Sequence, residues 1–112
     1  MTRRFTLEEA RLLMPEVRRR TREAVESVEA IRERLAGLDT LTPEEMAQVE
    51  VEARAAVEAW SQAIQALGAE TKGLWLVDFD NGAGYLCWQH PEPELCHYHD
   101  YEAGFAGRTA IQ

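Results

Sequence analysis

Along its first two-thirds the chain places apolar residues every three or four positions, and from Leu74 onward it alternates them. The first pattern belongs to helices and the second to strands. Thr6-Leu7-Glu8-Glu9 reads as a capping box, in which the Thr hydroxyl satisfies an orphan amide and Glu9 reaches back to the cap. Pro15 follows soon after. A proline inside a helix costs about 3 kcal/mol, so the pattern predicts a short helix over about 7–14, a break, and a long helix to about Ala36.

In the long helix Val17, Thr21, Ala24, Val28, Ile31, Leu35 and Leu38 recur in alternating steps of four and three, which is a coiled-coil seam. Gly37 is placed to cap its end, and the loop through Asp39 and Leu41 is short enough to send the next helix back antiparallel. That helix starts at Thr42-Pro43-Glu44-Glu45, a second capping box with proline at the first helical position. Met46, Val49, Ala53, Ala56, Trp60, Ala63 and Leu67 repeat the seam, and Gly68 closes it. Two helices cannot bury such a seam from both sides. Val25, Val51, Val57 and Ile64 mark a second contact face, for the C-terminal segment or for a second copy that would complete a four-helix bundle.

Leu74–Phe79, Tyr85–Trp88 and Glu94–His99 read as three strands. Asp80-Asn81-Gly82 signals a hairpin, and Pro91 with Pro93 marks a loop. A two-residue turn at Asn81-Gly82 would set Val77 opposite Leu86, Trp75 opposite Trp88 and Asp78 beside Tyr85. A four-residue loop at His90–Pro93 would set Cys87 opposite Cys96 and Trp88 opposite Leu95. One face would then carry Trp75, Val77, Phe79, Leu86, Trp88 and Leu95, followed by His97 and His99. The other would carry Leu76, Asp78, Tyr85, Cys87, Glu94, Cys96, Tyr98 and Asp100. The fold expected is α+β, one domain over 1–112. It has a helical hairpin over about 7–67, a three-stranded antiparallel meander over about 74–99, and a tail over 100–112.

The net charge of −8 argues against a nucleic-acid footprint, which needs clustered Lys and Arg. That charge is uneven: residues 1–42 sum to +1, residues 43–67 to −4 and residues 68–112 to −5. The run Arg18, Arg19, Arg20, Arg22 is diluted by Glu16, Glu23 and Glu26 and reads as a solvated helix face. No apolar run reaches the roughly 20 residues that cross a bilayer, and the start carries no signal-peptide pattern, so a cytoplasmic protein is expected. Cys87 and Cys96, if directly opposed, could form a cross-strand disulfide, but in such a compartment they are expected as thiols.

All three histidines, both cysteines and all three tyrosines fall between Trp75 and Tyr101, so any chemistry lies there. His97-x-His99 sets two imidazoles on one strand face, a spacing that zinc or another transition metal can use. His90, Glu92, Cys87 and Cys96 are further donors. The same histidines can instead pair with Glu92, Asp100 or backbone at the rim of the core. Thiol catalysis is disfavoured, because Asp78 and Glu94 on the face of Cys87 would raise its pKa. Asp78, alone among Leu76, Val77 and Phe79, is either half of a structural pair with a tyrosine or a carboxylate in a ligand pocket. Gly104-Phe105-Ala106-Gly107-Arg108 lacks the spacing of a phosphate loop. Arg108, the only arginine after Arg54, can anchor the tail to Glu92 or Asp100 or supply an anion contact.

Phe5-Thr6, Glu9-Ala10, Pro15, Gly73-Leu74, Val77-Asp78-Phe79, Leu86-Cys87-Trp88, Glu92, His99 and Gly104-Phe105-Ala106-Gly107-Arg108, in this order, resemble the prokaryotic family DUF2203. Its members typically read Gly-Leu-Val-Asp-Phe, Leu-Cys-Trp, Gly-Glu, Tyr-Trp-His and Gly-Phe-Ala-Gly-Arg. The resemblance singles out Asp78, Cys87, Trp88, Glu92, His99 and Arg108, and passes over His90, Cys96 and His97. This chain departs from the pattern with Trp75-Leu76 inserted before Val77, Pro91 in place of glycine, and Tyr98-His99 for Trp-His. The resemblance implies no activity.

Two functions follow from the sequence. The first is a non-enzymatic, self-associating interaction protein that dimerises through its helices and requires no cofactor. The second is a small-ligand or metal site, open to catalysis, built on Asp78, Cys87, Glu92, His99 and Arg108. The two differ in geometry, because a site needs those five side chains on one face and within reach of each other.

Overall fold

Both helices begin where the capping boxes put them. Thr6 N donates to Glu9 Oε1 at 2.9 Å and Glu9 N to Thr6 Oγ1 at 3.1 Å, which starts α1 (Leu7–Ala36). Glu45 N donates to Thr42 Oγ1 at 3.1 Å, which starts α2 (Pro43–Ala66). The computed structural model describes residues 3–36 and 40–111. The cap expected at Gly37, the seam position Leu38 and the loop residue Asp39 lie outside the described residues.

The break expected at Pro15 does not occur, and α1 runs through it as one helix. Proline removes a donor and crowds the preceding turn. Here, however, Ala10, Met14, Val17, Thr21 and Ala24 are all buried on one face that passes Pro15 without interruption. Burying a side chain the size of Met or Val contributes roughly 1.5–3 kcal/mol, so the apolar stripe on both sides of Pro15 outweighs the local cost.

After α2 the chain turns at Gly68, whose φ of +99° suits a residue without a Cβ. It then forms β1 (Glu70–Gly73), β2 (Leu76–Asp80), β3 (Gly84–Gln89), β4 (His97–Asp100) and, beyond a 3-10 turn at Phe105–Gly107, β5 (Thr109–Ala110). These make one antiparallel sheet in the order β1-β2-β3-β4-β5. The sheet therefore has five strands where the sequence pattern predicted three. The two additional strands are short edge strands: Glu70-Thr71-Lys72-Gly73 carries no apolar alternation, and Thr109-Ala110 is too brief to show any. Trp75, expected in a strand, instead occupies the turn from β1 to β2 at φ 62°. Its ring packs edge-on against Trp60 of α2 at 5.0 Å.

Two registers differ from expectation. Between β2 and β3, Val77 pairs with Trp88, Asp78 with Cys87 and Phe79 with Leu86. The tight turn sits one residue later than Asn81-Gly82: Asn81 N donates to Gly84 O at 3.0 Å around Gly82 at φ +93°. The pairing thereby moves by two residues, which leaves every side chain on its expected face. It does set Cys87, rather than Tyr85, across from Asp78. Between β3 and β4 the shift is one residue. Cys87 pairs with His97 and Leu86 with Tyr98, in place of Cys87 with Cys96. A one-residue shift reverses faces, so His97 and His99 leave the core face and join Cys87, while Tyr98 packs against the core.

The loop between these strands explains the slip. It is held as a compact unit in which Leu95 is buried among the core residues, so the third strand cannot begin at Glu94. Arg11 of α1 donates to Leu95 O at 3.2 Å, and Arg18 donates to Pro93 O. The core is one cluster: Ala10, Met14 and Val17 of α1, Trp60 and Ile64 of α2, and Val77, Phe79, Leu86 and Trp88 of the sheet. Thr21 Oγ1 accepts from Trp60 Nε1 and donates to Val17 O, both at 2.8 Å, which ties the helices together inside it. Thr21→Val strands that indole N–H and is expected to cost about 1–3 kcal/mol, read as a lower urea midpoint with an unchanged slope.

Candidate functional site

Alternation sends Asp78 of β2 and Cys87 of β3 to the sheet face away from the helices, and the β4 register brings His99 beside them. All three are buried, at 1%, 0% and 3% exposure. Their donor atoms lie within 4.8 Å of one another. His99 Nε2 is 3.0 Å from Asp78 Oδ2, and His99 Nδ1 is 2.9 Å from the carbonyl of Asp100.

A carbonyl only accepts, so the hydrogen on Nδ1 is the one given to Asp100. The 3.0 Å contact of Nε2 with Asp78 Oδ2 then needs one hydrogen, or another cation, between the two atoms. Burial lifts the Asp78 carboxyl above its ordinary 3.8, against the pull of the Cys87 thiol first and then of the His99 ring. Burial first, and then the Asp78 carboxylate, push the Cys87 thiol up to about 12. Asp78 Oδ1 is buried with no hydrogen-bond partner.

A second group adjoins the first. Glu92 Oε1 accepts from Gln89 N at 2.7 Å and from Arg108 Nη2 at 2.7 Å, and Glu92 O accepts from Trp88 Nε1 at 2.8 Å. Arg108 also donates to Cys87 O at 3.3 Å, which ties this pair to the backbone of the triad, and its guanidinium lies over the Phe105 ring at 4.8 Å. Burial opposes ionisation of Glu92, but Arg108 and the Gln89 amide outweigh it and hold that carboxyl below 4.5. Tyr101 stands edge-on to Tyr85 at 5.1 Å and donates to Asp80 Oδ1 at 2.6 Å. Tyr85 in turn lies 5.4 Å from the His99 ring at a tilt of 45°.

The five residues Asp78, Cys87, Glu92, His99 and Arg108 therefore stand on one face, as a buried triad and an adjoining ion pair. His97 is no member of the triad and takes the alternative that the sequence offered, a pairing with Glu92: its Nδ1 is 3.5 Å from Glu92 Oε2 and 3.7 Å from Cys96 Sγ. His90 packs against Trp88, and Asp78 finds a histidine in place of the expected tyrosine. Cys87 and Cys96 are free thiols. Arg108 does anchor the tail, and to Glu92.

A family match runs over residues 3–111, nearly the whole chain. The chain belongs to the DUF2203 family. That family is described as an uncharacterized conserved protein. No curated protein and no solved structure matches the chain. The residues that carry the resemblance to DUF2203 are those that meet here: Asp78 from Val77-Asp78-Phe79, Cys87 from Leu86-Cys87-Trp88, then Glu92, His99 and Arg108. Asp78 is the triad member that the sequence set beside Tyr85 rather than across from Cys87. Its signal was a buried carboxylate one strand away from a cysteine, legible only with the hairpin register in hand.

Two outcomes follow for this DUF2203 chain. Alkylation near neutral pH is expected to modify Cys96, which is half-buried, and to leave Cys87 until the protein unfolds, read by peptide mass mapping. Glu92→Gln keeps an acceptor for Gln89 but loses the charge facing Arg108. It is expected to cost about 1–2 kcal/mol at pH 7. Because the folded Glu92 carboxyl is held low, its contribution is whole above pH 4.5 and disappears as pH falls through its folded value. The difference between variant and parent in denaturant midpoint should shrink accordingly below that pH.

Proposed function

We propose that the chain is a metal-binding protein whose ligands are the Cys87 thiolate, the His99 imidazole and the Asp78 carboxylate. The observation that carries this reading is the convergence of three buried donor atoms, from Asp78, Cys87 and His99, within 4.8 Å of one another, with His99 Nε2 3.0 Å from Asp78 Oδ2. One sulfur, one nitrogen and one oxygen donor suit zinc or a neighbouring transition metal. Three protein ligands leave a fourth position, the arrangement of sites that take water or substrate. Asp100 O fixes the tautomer of His99 as an outer-shell partner does in metal sites. The unpartnered Asp78 Oδ1 gives the carboxylate a second free oxygen.

The test is elemental analysis of native protein purified without chelator or affinity tag, followed by titration of metal-free protein with Co²⁺. The expected result is one metal per chain and a thiolate-to-cobalt absorption band. Both are lost in Cys87→Ala and His99→Ala and kept in His97→Ala and Cys96→Ala. Native protein without metal, and no band on adding Co²⁺, would leave the triad as a proton-sharing pair beside a buried thiol and overturn the reading.

A further inference from the structure

Two buried side-chain atoms have no hydrogen-bond partner among the described residues, and they are of opposite kinds. One is the acceptor Asp78 Oδ1 and the other is the donor Arg108 Nε. Both stand beside Cys87: Asp78 pairs with it across β2 and β3, and Arg108 Nη2 donates to its carbonyl at 3.3 Å. A metal held by Asp78, Cys87 and His99 can draw on Asp78 Oδ1. It cannot serve Arg108 Nε, because a cation accepts no hydrogen bond and repels a guanidinium. That donor needs an acceptor of its own.

The guanidinium is already held in place. Glu92 Oε1 takes Nη2 at 2.7 Å, Cys87 O takes it at 3.3 Å, and the Phe105 ring lies 4.8 Å from Cζ. Glu92 leaves Nε alone, because its second oxygen lies 3.5 Å from His97 Nδ1. Nη2 is therefore spent and Nε is left for one further oxygen. Only 14% of the Arg108 side chain is exposed, so little water screens its charge. Burial and the Asp78 carboxylate push the Cys87 thiol up and Arg108 pulls it back, so that charge reaches the sulfur as well as the carbonyl.

We propose that the open position of the metal site takes a small oxyanion, a carboxylate or a phosphate, with one oxygen on the metal and another on Arg108 Nε. The inference rests on the metal reading above and adds what the metal carries. A guanidinium matches carboxylate and phosphate oxygens in both charge and geometry, which favours this class over a neutral carbonyl. Arg108 and Glu92 then act on the ligand with opposite sign. Arg108 attracts it, and Glu92, by pairing with Arg108, sets how much of that attraction is left.

The test is titration of Co²⁺-loaded protein with acetate and with inorganic phosphate at constant ionic strength, followed by cobalt absorption. A saturable spectral shift is expected. A response to acetate alone marks a carboxylate ligand, and a response to phosphate alone marks a phosphate. Arg108→Lys keeps a charge for Glu92, and is expected to keep the cobalt band while weakening the oxyanion roughly tenfold or more. Glu92→Gln is expected to tighten it, a change that loosened structure does not produce, and this variant carries the test if Arg108→Lys fails to fold. A cobalt band that neither anion moves would overturn this proposal and leave the metal reading standing. Equal affinity in Arg108→Lys and parent, or weaker binding in Glu92→Gln, would overturn it too. Absence of the band from the parent protein removes the metal site, and this inference with it.

Discussion

The register of β4 against β3 is the constraint on which the outer face of this protein depends. It is set outside both strands, in the seven residues from His90 to Cys96. Glu92 serves that loop three times: its carboxylate takes the Gln89 amide, its carbonyl takes the Trp88 indole, and its charge meets Arg108. Leu95 then anchors the loop in the core while Arg11 grips its carbonyl. With both ends fixed, His97 is the first residue free to pair, and His99 arrives beside Asp78. Shortening the loop by one residue would turn both histidines toward the helices and leave Asp78 and Cys87 without a third donor.

That dependence gives the two polar groups different characters. The triad is buried with a carboxylate whose second oxygen has no partner, a costly arrangement in a medium of low dielectric. The Glu92–Arg108 pair is partly open to solvent and well furnished with hydrogen bonds, so it behaves as a fastener. The fastener sits at the point where the last segment of the chain crosses back over the sheet, and through Cys87 O it reaches the triad backbone. Structural order is thus concentrated at the margin of the cluster, and its buried polar groups lie at the centre.

Much of the architecture was legible in the sequence. Both capping boxes, the antiparallel hairpin, the core face of Val77, Phe79, Leu86 and Trp88, and the tail anchor at Arg108 follow from local pattern and spacing. The continuous helix through Pro15 was not, because local propensity predicts a break and only tertiary burial overrides it. The edge strands β1 and β5 were not, because strands without apolar alternation carry no periodic signal. The triad was half legible. Its members were individually visible, but their convergence rests on two turns, one displaced by a single residue at Asn81-Gly82 and one lengthened around Leu95. A two-residue displacement preserved the faces of β3, whereas a one-residue displacement inverted those of β4.

The contact of Trp60 with Trp75 has an optical consequence. Their rings meet edge to face where α2 abuts the turn into β2, so the helical layer and the sheet touch through two chromophores. Indoles this close couple their electronic transitions. The near-ultraviolet dichroism of the protein will therefore carry a signal that exists only while the two layers are docked. Trp88, bonded through its indole to Glu92, sits apart against His90 and will report the loop instead. One spectrum thus separates loosening of the layers from rearrangement of the loop without any added label.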